Sequence, residues 1–461
     1  MRIAATYEYV LANSNQKSIV GTAAMAGSFG RWAYYPGVIF QPEYETLERH
    51  ALEALQLERL QALVERLRGA NEIYAGRLNG VAAPGSLRDL AALPFSTKSD
   101  MRDAYPLGLL AVAPEDLARI HASSGTTGNP TIGAYTKEDL RVFGEVMARS
   151  LAGGGIEPHD MFQVAWGYGL FTGGLGAHGG CETLGACAIP ASSGNTARQL
   201  QLLCDLPVVG IGCTPSYGLV LAERLRTEKR RPKALRYAIC GAESWTREMR
   251  AELEELFGVT ATNIYGLTEI IGPGVAQECL SKQGLHVQED HFLAEIIDPE
   301  SGEPLADGER GELVLTTLTR EAMPVLRYRT RDLTSMVRER CACGRTTARI
   351  DWFTGRVDDM LVIRGVNVFP SAVEEVLLRF SELSPNYRIF VDRPPNGLDE
   401  MLVEVEHHPV AALDAEQLGR AVTARLGETL LISVQARIVP PGTIERIEAG
   451  KAKRVIDRRT S

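Results

Sequence analysis

Between Met161 and Ile264, short apolar runs at Met161–Ala165, Val208–Cys213, Arg236–Cys240 and Thr260–Ile264 alternate with helix-forming segments at Thr196–Leu203, Tyr217–Arg226 and Thr246–Phe257. Runs this short suit buried strands, and their alternation with helices argues a doubly wound α/β region, in which helices cover a largely parallel sheet. At 461 residues the chain is long for one core, so two or three domains are expected. Upstream, Leu47, Leu52, Leu55, Leu60, Leu63, Val64 and Leu67 recur at helical spacing between Tyr44 and Gly69, predicting an N-terminal helix packed on that core. From Phe292 to Leu333 the pattern changes to strands broken by turns: Ala294–Ile297, the turn Asp298–Gly302, Leu313–Thr317 and Arg327–Arg329. This predicts an antiparallel or barrel-like β appendage. After Gly355 the pattern resets, with a strand at Met360–Ile363, a helix opened by Pro370 and Ser371, strands at Arg388–Val391 and Leu402–Glu406, a helix through Leu413–Leu430 and a strand at Val434–Val439. A small α+β C-terminal domain is expected there. The boundary falls near Arg356–Asp359, dividing the chain into residues 1–357 and 358–461.

Composition narrows the partners. Hydrophobic content of 45% and charged content of 23% are those of a globular protein. With 49 basic and 58 acidic side chains, a net charge of −9 and no basic block interleaved with aromatics, nucleic acid is not an expected partner. Met1 to Lys17 has neither a charged leader region nor an apolar one, and no apolar run reaches membrane-spanning length, so a cytoplasmic protein is expected. The eight cysteines do not form the pattern of a disulfide framework. Cys181, Cys187, Cys204, Cys213 and Cys240 lie in apolar, strand-like stretches and read as buried packing residues. Cys341-Ala342-Cys343 differs: with Cys279 and His286 it offers three thiolates and an imidazole, a closed set for structural zinc. The neighbouring Asp290-His291 reads as a hydrogen-bonded turn.

The chemistry begins at Ser123-Ser124-Gly125-Thr126-Thr127-Gly128, followed by Asn129-Pro130. The glycines let backbone N–H groups converge on an anion, and four hydroxyls add neutral donors. No lysine stands in the loop and no Gly-x-x-x-x-Gly-Lys-Ser/Thr spacing occurs, which excludes a P-loop NTPase. In Asn263-Ile264-Tyr265-Gly266-Leu267-Thr268-Glu269 a strand ends in a turn offering an aromatic face for a base, a hydroxyl for phosphate and a carboxylate for Mg²⁺. Gly241-Ala242-Glu243 follows another strand and suits a purine. Asp332, in Tyr328-Arg329-Thr330-Arg331-Asp332, is able to accept both ribose hydroxyls, and Arg356, in Gly355-Arg356-Val357-Asp358-Asp359, suits ribose or phosphate.

Together with a lysine near the C-terminus, these ordered segments resemble the adenylate-forming acyl-CoA synthetases, and within them the phenylacetate-CoA ligase branch. Tyr168 to Gly176, Ile270 to Val275, Thr316 to Arg329 and Asp359 to Pro370 carry the branch resemblance, which spans roughly Tyr44 to Asp457. It implies ATP-dependent activation of an aryl acid as an acyl-adenylate, then transfer to the CoA thiol with release of AMP. Ser123 to Gly128 would hold the β- and γ-phosphates, Thr268 the α-phosphate and Glu269 the Mg²⁺. Tyr265, Gly241, Ala242 and Glu243 would frame adenine and ribose, with Asp332 and Arg356 on the ribose. Gly450-Lys451 matches the family's glycine and adenylation lysine, although Glu445-Arg446-Ile447-Glu448-Ala449 departs from the usual context and leaves Lys453 as a rival. Asp358 falls at the family's hinge, and Gly365 would let the pantetheine arm pass close to backbone.

Trp166, Tyr168 and Phe171 with Gly173, Gly174 and Gly176 read as an aromatic-walled slot with a small floor, suited to a flat acid such as phenylacetate or a substituted benzoate. Alternatives stay open at this point. The acyl group could pass to a carrier-protein phosphopantetheine, the reaction could stop at the adenylate or act on a deazaflavin cofactor, or the chain could be a catalytically quiet nucleotide-binding protein. A homodimer is implied only by the resemblance.

Overall fold

The computed structural model describes residues 38–123, 130–357, 361–364, 366–394, 398–409, 414–445 and 454–459. The predicted alternation is realised as five parallel strands in the spatial order Cys187–Ile189, Met161–Val164, Val208–Cys213, Tyr237–Gly241 and Thr260–Leu267. The strand Thr260–Leu267 then pairs antiparallel with Gly272–Glu278, and the same hydrogen-bonded path continues through Leu285–Val287, Arg349–Ile350, Tyr328–Val337 and Arg310–Thr317 to Phe292–Ile297. The β appendage is therefore joined edge to edge with the parallel strands in one twelve-stranded sheet, with Gly355–Arg356 paired to Tyr328–Val337.

The sheet changes from parallel to antiparallel at the turn 268–271, which joins Leu267 to Gly272. Only glycine fits the close approach there, because a Cβ on Gly266 would lie 1.8 Å from the Gly272 carbonyl oxygen. Ligands of open α/β sheets collect at such carboxyl ends, where strand order or direction switches.

The N-terminal stripe forms the helix Arg49–Ala70, preceded by a single turn at Pro42–Glu45, and buries Leu52, Leu60, Leu63, Val64 and Leu67. One helix had no strong sequence signal. Thr172–Leu184 contains Gly173, Gly174, Gly176, Gly179 and Gly180, a composition that lowers helix propensity. Close packing against the helix Lys137–Gly153 explains it: a Cβ on Gly176 would lie 2.3 Å from Phe143 and one on Gly180 2.5 Å from Met147. Among the five cysteines expected as core, Cys181, Cys213 and Cys240 are buried, whereas Cys187 is exposed at the sheet's edge strand and Cys204 is half-buried near the end of its helix.

From Leu361 onward the residues form their own apolar core around Val373, Ile389, Val403, Val422 and Leu426. The strands run Gln435–Val439, Glu400–His407, Leu383–Asp392 and Val455–Asp457, with the helices Pro370–Leu377 and Ala415–Leu430 and a short hairpin, Leu361–Ile363 with Val366–Val368. Among the described residues no helix is long and apolar enough to cross a membrane.

Candidate active site

The phosphate-type loop is carried by the antiparallel hairpin Arg119–Ala122 and Ile132–Tyr135. Its ends are closed: the Ser123 N–H donates to the Thr131 carbonyl at 2.9 Å, and the Thr131 N–H donates to Ser123 Oγ at 3.1 Å. Ser124, Gly125, Thr126, Thr127 and Gly128 lie outside the described residues, as do Asp358, Gly365, Lys451 and Lys453. Ser123, Thr268 and Glu269 line one cavity of about 150 Å³. Burial, with the Glu269 carboxylate as a further cause, holds the Tyr328 phenol in that cavity well above its ordinary pKa. Lys98, at the first turn of the helix Lys98–Asp103, also lines it and was not singled out in the sequence. It stands about 170 residues from the Thr268 turn, and only the capping box of Thr97 and Asp100, which starts its helix, marked its surroundings.

The same cavity has an apolar end. Trp166, Phe171, Thr172, Gly173 and Pro273 line it, so two of the three predicted aromatic residues and one of the three predicted glycines meet the Thr268–Glu269 turn. Trp166 is 3% exposed, and its ring lies so close to the strand Val208–Cys213 that a Cβ on Gly212 would stand 2.3 Å from it. Tyr168 is placed differently: its hydroxyl meets His178 Nδ1 at 3.3 Å, and it is not a lining residue. Gly174 serves helix packing, since a Cβ there would lie 2.6 Å from the Gly167 carbonyl. The His121 ring and the Ala122 N–H both bond the Leu170 carbonyl, at 3.0 and 2.9 Å, tying the hairpin to the loop that carries Phe171.

A second chamber of about 120 Å³ adjoins the first, sharing Ala242, Ile264, Gly266, Leu267 and Arg356 with it. Here Tyr265 donates to Asp332 Oδ2 at 2.6 Å and Arg356 to Asp332 Oδ1 at 2.9 Å, while the Tyr265 ring rests 4.4 Å from that of Phe353. Burial, reinforced by the Asp332 charge, raises the Tyr265 pKa, so the phenol stays a neutral donor. Asn263 and Glu243 line the chamber, and the Glu243 carboxylate accepts from the Ser216 N–H at 2.7 Å. Ala242 takes φ +74, a left-handed conformation rare without glycine. Gly241 precedes it at the strand end, where a Cβ would stand 2.3 Å from the Ile264 carbonyl oxygen.

The four predicted zinc ligands also converge. Ligating atoms of Cys279, His286, Cys341 and Cys343 all lie within 4.8 Å of one another, and all four residues are buried. Cys279 Sγ and Cys341 Sγ are 3.8 Å apart, and Cys343 Sγ is 3.5 Å from His286 Nε2. His286 Nδ1 meets the Thr347 hydroxyl at 3.1 Å, which leaves Nε2 toward the sulfurs. None of the four lines either chamber. Nearby, Asp290 is held by Arg149 at 2.7 Å, and His291 Nδ1 meets the Thr319 hydroxyl at 2.8 Å.

Comparison with known proteins agrees with this geometry. The AMP-binding enzyme family matches residues 61–319, and the AMP-binding enzyme C-terminal domain matches residues 365–459. Over 450 residues the chain is 48% identical to a phenylacetate-coenzyme A ligase of Thermus thermophilus, covering 92% of this chain and 100% of the relative. The phenylacetate-coenzyme A ligase of Escherichia coli is 46% identical, with 90% and 97% of the two chains covered. A solved 2-hydroxyisobutyryl-CoA ligase with 2-HIB-AMP in its postadenylation state is 28% identical and superimposes with a TM-score of 0.84, covering 90% of this chain and 91% of that one. The same enzyme with 2-HIB-AMP and CoA in the thioesterification state gives 0.68, at 30% identity and 91% and 92% coverage. The chain belongs to the AMP-binding family of adenylate-forming enzymes and, within it, to the phenylacetate-CoA ligase branch.

Proposed function

We infer that the protein joins an aryl carboxylic acid, of the phenylacetate or substituted benzoate type, to the thiol of CoA at the expense of ATP. The observation that carries this reading is the paired cavity: an apolar end walled by Trp166 and Phe171 meets, at the Thr268–Glu269 turn, a polar chamber built on Tyr265, Asp332 and Arg356. The curated relatives are named as CoA ligases, which favours CoA over a carrier protein as the acceptor.

In the first step an acid carboxylate oxygen attacks the α-phosphorus of ATP, the bond to the β-phosphate oxygen breaks, and pyrophosphate leaves. In the second, the CoA sulfur attacks the acyl carbon of the mixed anhydride and AMP leaves, with the thiol proton passing to solvent. The aromatic end holds the acid and excludes water from the anhydride. Asp332 accepts from the ribose hydroxyls, with Tyr265 and Arg356 fixing its orientation, and Thr268 donates to the α-phosphate. The hairpin loop from Ser123 and the Lys98 ammonium take the β- and γ-phosphates. Lys451, with Lys453 as its rival, supplies positive charge where pyrophosphate departs, so it stabilises the transition state more than bound ATP.

The Glu269 carboxylate is 7% exposed and lines the phosphate end of the cavity, a hard oxygen donor that suits Mg²⁺. Mg²⁺ bound there would neutralise charge on the triphosphate and on the leaving pyrophosphate. The Cys₃His cluster fits zinc: Zn–S bonds of about 2.3 Å at tetrahedral angles put sulfurs about 3.8 Å apart, the spacing of Cys279 and Cys341. Zinc there would pin the turn after Glu278 to the turn before Arg349 and take no part in the chemistry.

The division after Val357 makes residues 358–461 a mobile domain hinged at Asp358, which would exchange the lysine for a thiol channel past Gly365. The arrangement described resembles the relative's postadenylation state more than its thioesterification state, 0.84 against 0.68. Eight free cysteines and the need for ATP and CoA suit the cytoplasm. Sedimentation would check the implied homodimer. The function itself is tested by pyrophosphate–ATP exchange without CoA over a panel of acids. Exchange supported by phenylacetate or benzoates and not by short aliphatic acids is expected; equal exchange with aliphatic acids would refute the aryl assignment.

A further inference from the structure

We propose that Arg320 is a positioning residue for adenylation, a buried guanidinium that sets the spacing between the phosphate-loop hairpin and the Thr268–Glu269 turn. The proposal rests on the adenylating function inferred above and concerns how its phosphate end is assembled.

Arg320 follows the strand Arg310–Thr317 and is 3% exposed. Its Nη1 donates to the Glu269 carbonyl at 2.7 Å and to the Ile270 carbonyl, and its Nη2 donates to the Ala134 carbonyl at 3.2 Å. Ala134 lies on the hairpin strand that leaves the phosphate-type loop, and Glu269 and Ile270 lie in the turn facing it. One planar fork therefore bridges the two segments that approach a triphosphate from different sides. The guanidinium lies 4.9 Å from the centre of the Tyr135 ring, whose hydroxyl donates to the Ile271 carbonyl at 2.9 Å. Contact between the segments is close, since a Cβ on Gly133 would stand 3.1 Å from the Thr268 carbonyl oxygen. The segment bearing Arg320 is itself fixed: the N–H groups of Glu321 and Ala322 donate to the Asp139 carboxylate at 2.6 and 2.9 Å.

The acceptors of Arg320 are all carbonyls, and among the described residues no carboxylate pairs with it. Burying a cation without a counter-charge is costly, and an aliphatic side chain would fill the space without that cost. The guanidinium does what an aliphatic side chain cannot: it donates to three carbonyls from two segments and places a positive charge behind the phosphate end. A lysine keeps the charge but not the planar fork.

The test compares partial reactions of purified full-length variants. Arg320→Lys should lower pyrophosphate–ATP exchange with phenylacetate by about 10- to 100-fold, as a displacement near 1 Å at a reacting centre does. It should raise KM for ATP more than KM for the acid. Conversion of supplied phenylacetyl-adenylate and CoA to thioester should stay within about threefold of wild type, because no pyrophosphate is then handled. Arg327→Lys is the control, since Arg327 is also buried but is held by the Glu295 carboxylate and the carbonyls of Ala91 and Leu93, away from the turn. It should cost melting temperature without that kinetic split.

Equal losses in both partial reactions, wild-type exchange by Arg320→Lys, or the same split in Arg327→Lys would overturn the proposal. If Arg320→Lys does not fold, Arg320→Gln decides, because it keeps an amide donor but cannot bridge all three carbonyls: a raised KM for ATP with thioester formation from supplied adenylate retained supports the proposal, and an unchanged KM for ATP overturns it. Absence of exchange by the wild type with any aryl acid would instead refute the adenylating function itself.

Discussion

The reaction cavity and the Cys279, His286, Cys341, Cys343 cluster both gather buried polar side chains from segments distant in sequence, and they use them in opposite ways. In the cavity, Thr268, Glu269 and Ser123 line open space, and Asp332 is held by Tyr265 and Arg356 at its margin. In the cluster the donor atoms lie within 4.8 Å of one another, and none of the four residues lines either chamber. Convergence on a volume leaves room for a substrate, whereas convergence on a point leaves room for one ion at most.

The largest effect that would break this contrast belongs to the C-terminal lysine. Lys451→Ala should slow adenylation by about 10² to 10³-fold, the usual cost of one preorganised charge contact, while leaving turnover of a supplied acyl-adenylate nearly intact. Rapid-quench measurement of the two half-reactions checks this. The same pattern in Lys453→Ala and not in Lys451→Ala would move the role two residues along the chain.

The cluster should respond in the other currency, stability. Cys341→Ser with Cys343→Ser should abolish metal binding and lower the melting temperature by several degrees, with kcat per folded molecule within about twofold of wild type, as for a closed structural site. Elemental analysis of the wild type should give about one zinc per chain, the stoichiometry of one four-ligand site. Metal-free protein with an unchanged melting temperature would reduce these residues to packing.

Within the cavity, the two chambers should separate kinetically. Trp166→Ala should raise KM for phenylacetate about tenfold and admit bulkier acids while KM for ATP stays close to wild type, since truncating a pocket wall removes contacts to the acid alone. A parallel rise in both constants would mean that Trp166 supports the fold and not the pocket. The smallest effect is expected from Tyr265→Phe, which removes the 2.6 Å hydrogen bond to Asp332. KM for ATP should rise by about three- to tenfold, on the order of 1 kcal/mol for one positioning bond, and KM for the acid should not move.

What was legible in the sequence divides along the same physical lines. The strands Val208–Cys213 and Tyr237–Gly241 were readable because short apolar runs between helical segments have few other uses. The helix Thr172–Leu184 was not, because its glycines serve contact with Phe143 and Met147, a tertiary demand that overrides local propensity. For the same reason Gly174 and Tyr168, read as pocket residues, turn instead toward Gly167 and His178. The Cys-x-Cys pair announced its cluster through spacing alone. Lys98 and Arg320 were not singled out: Lys98 lines the cavity from a segment with no nucleotide motif, and Arg320, although inside the stretch Thr316 to Arg329 that carries the branch resemblance, meets the Thr268–Glu269 turn only through the fold.

The central claim is that one cavity activates an aryl acid and delivers it to CoA. The most direct measurement is quantitative product analysis of the wild-type protein incubated with phenylacetate, ATP, Mg²⁺ and CoA. The account predicts phenylacetyl-CoA, AMP and pyrophosphate in equal amounts, with pyrophosphate but no thioester when CoA is omitted. ADP and phosphate in place of AMP and pyrophosphate, or AMP accumulating with CoA present and no thioester formed, would contradict it.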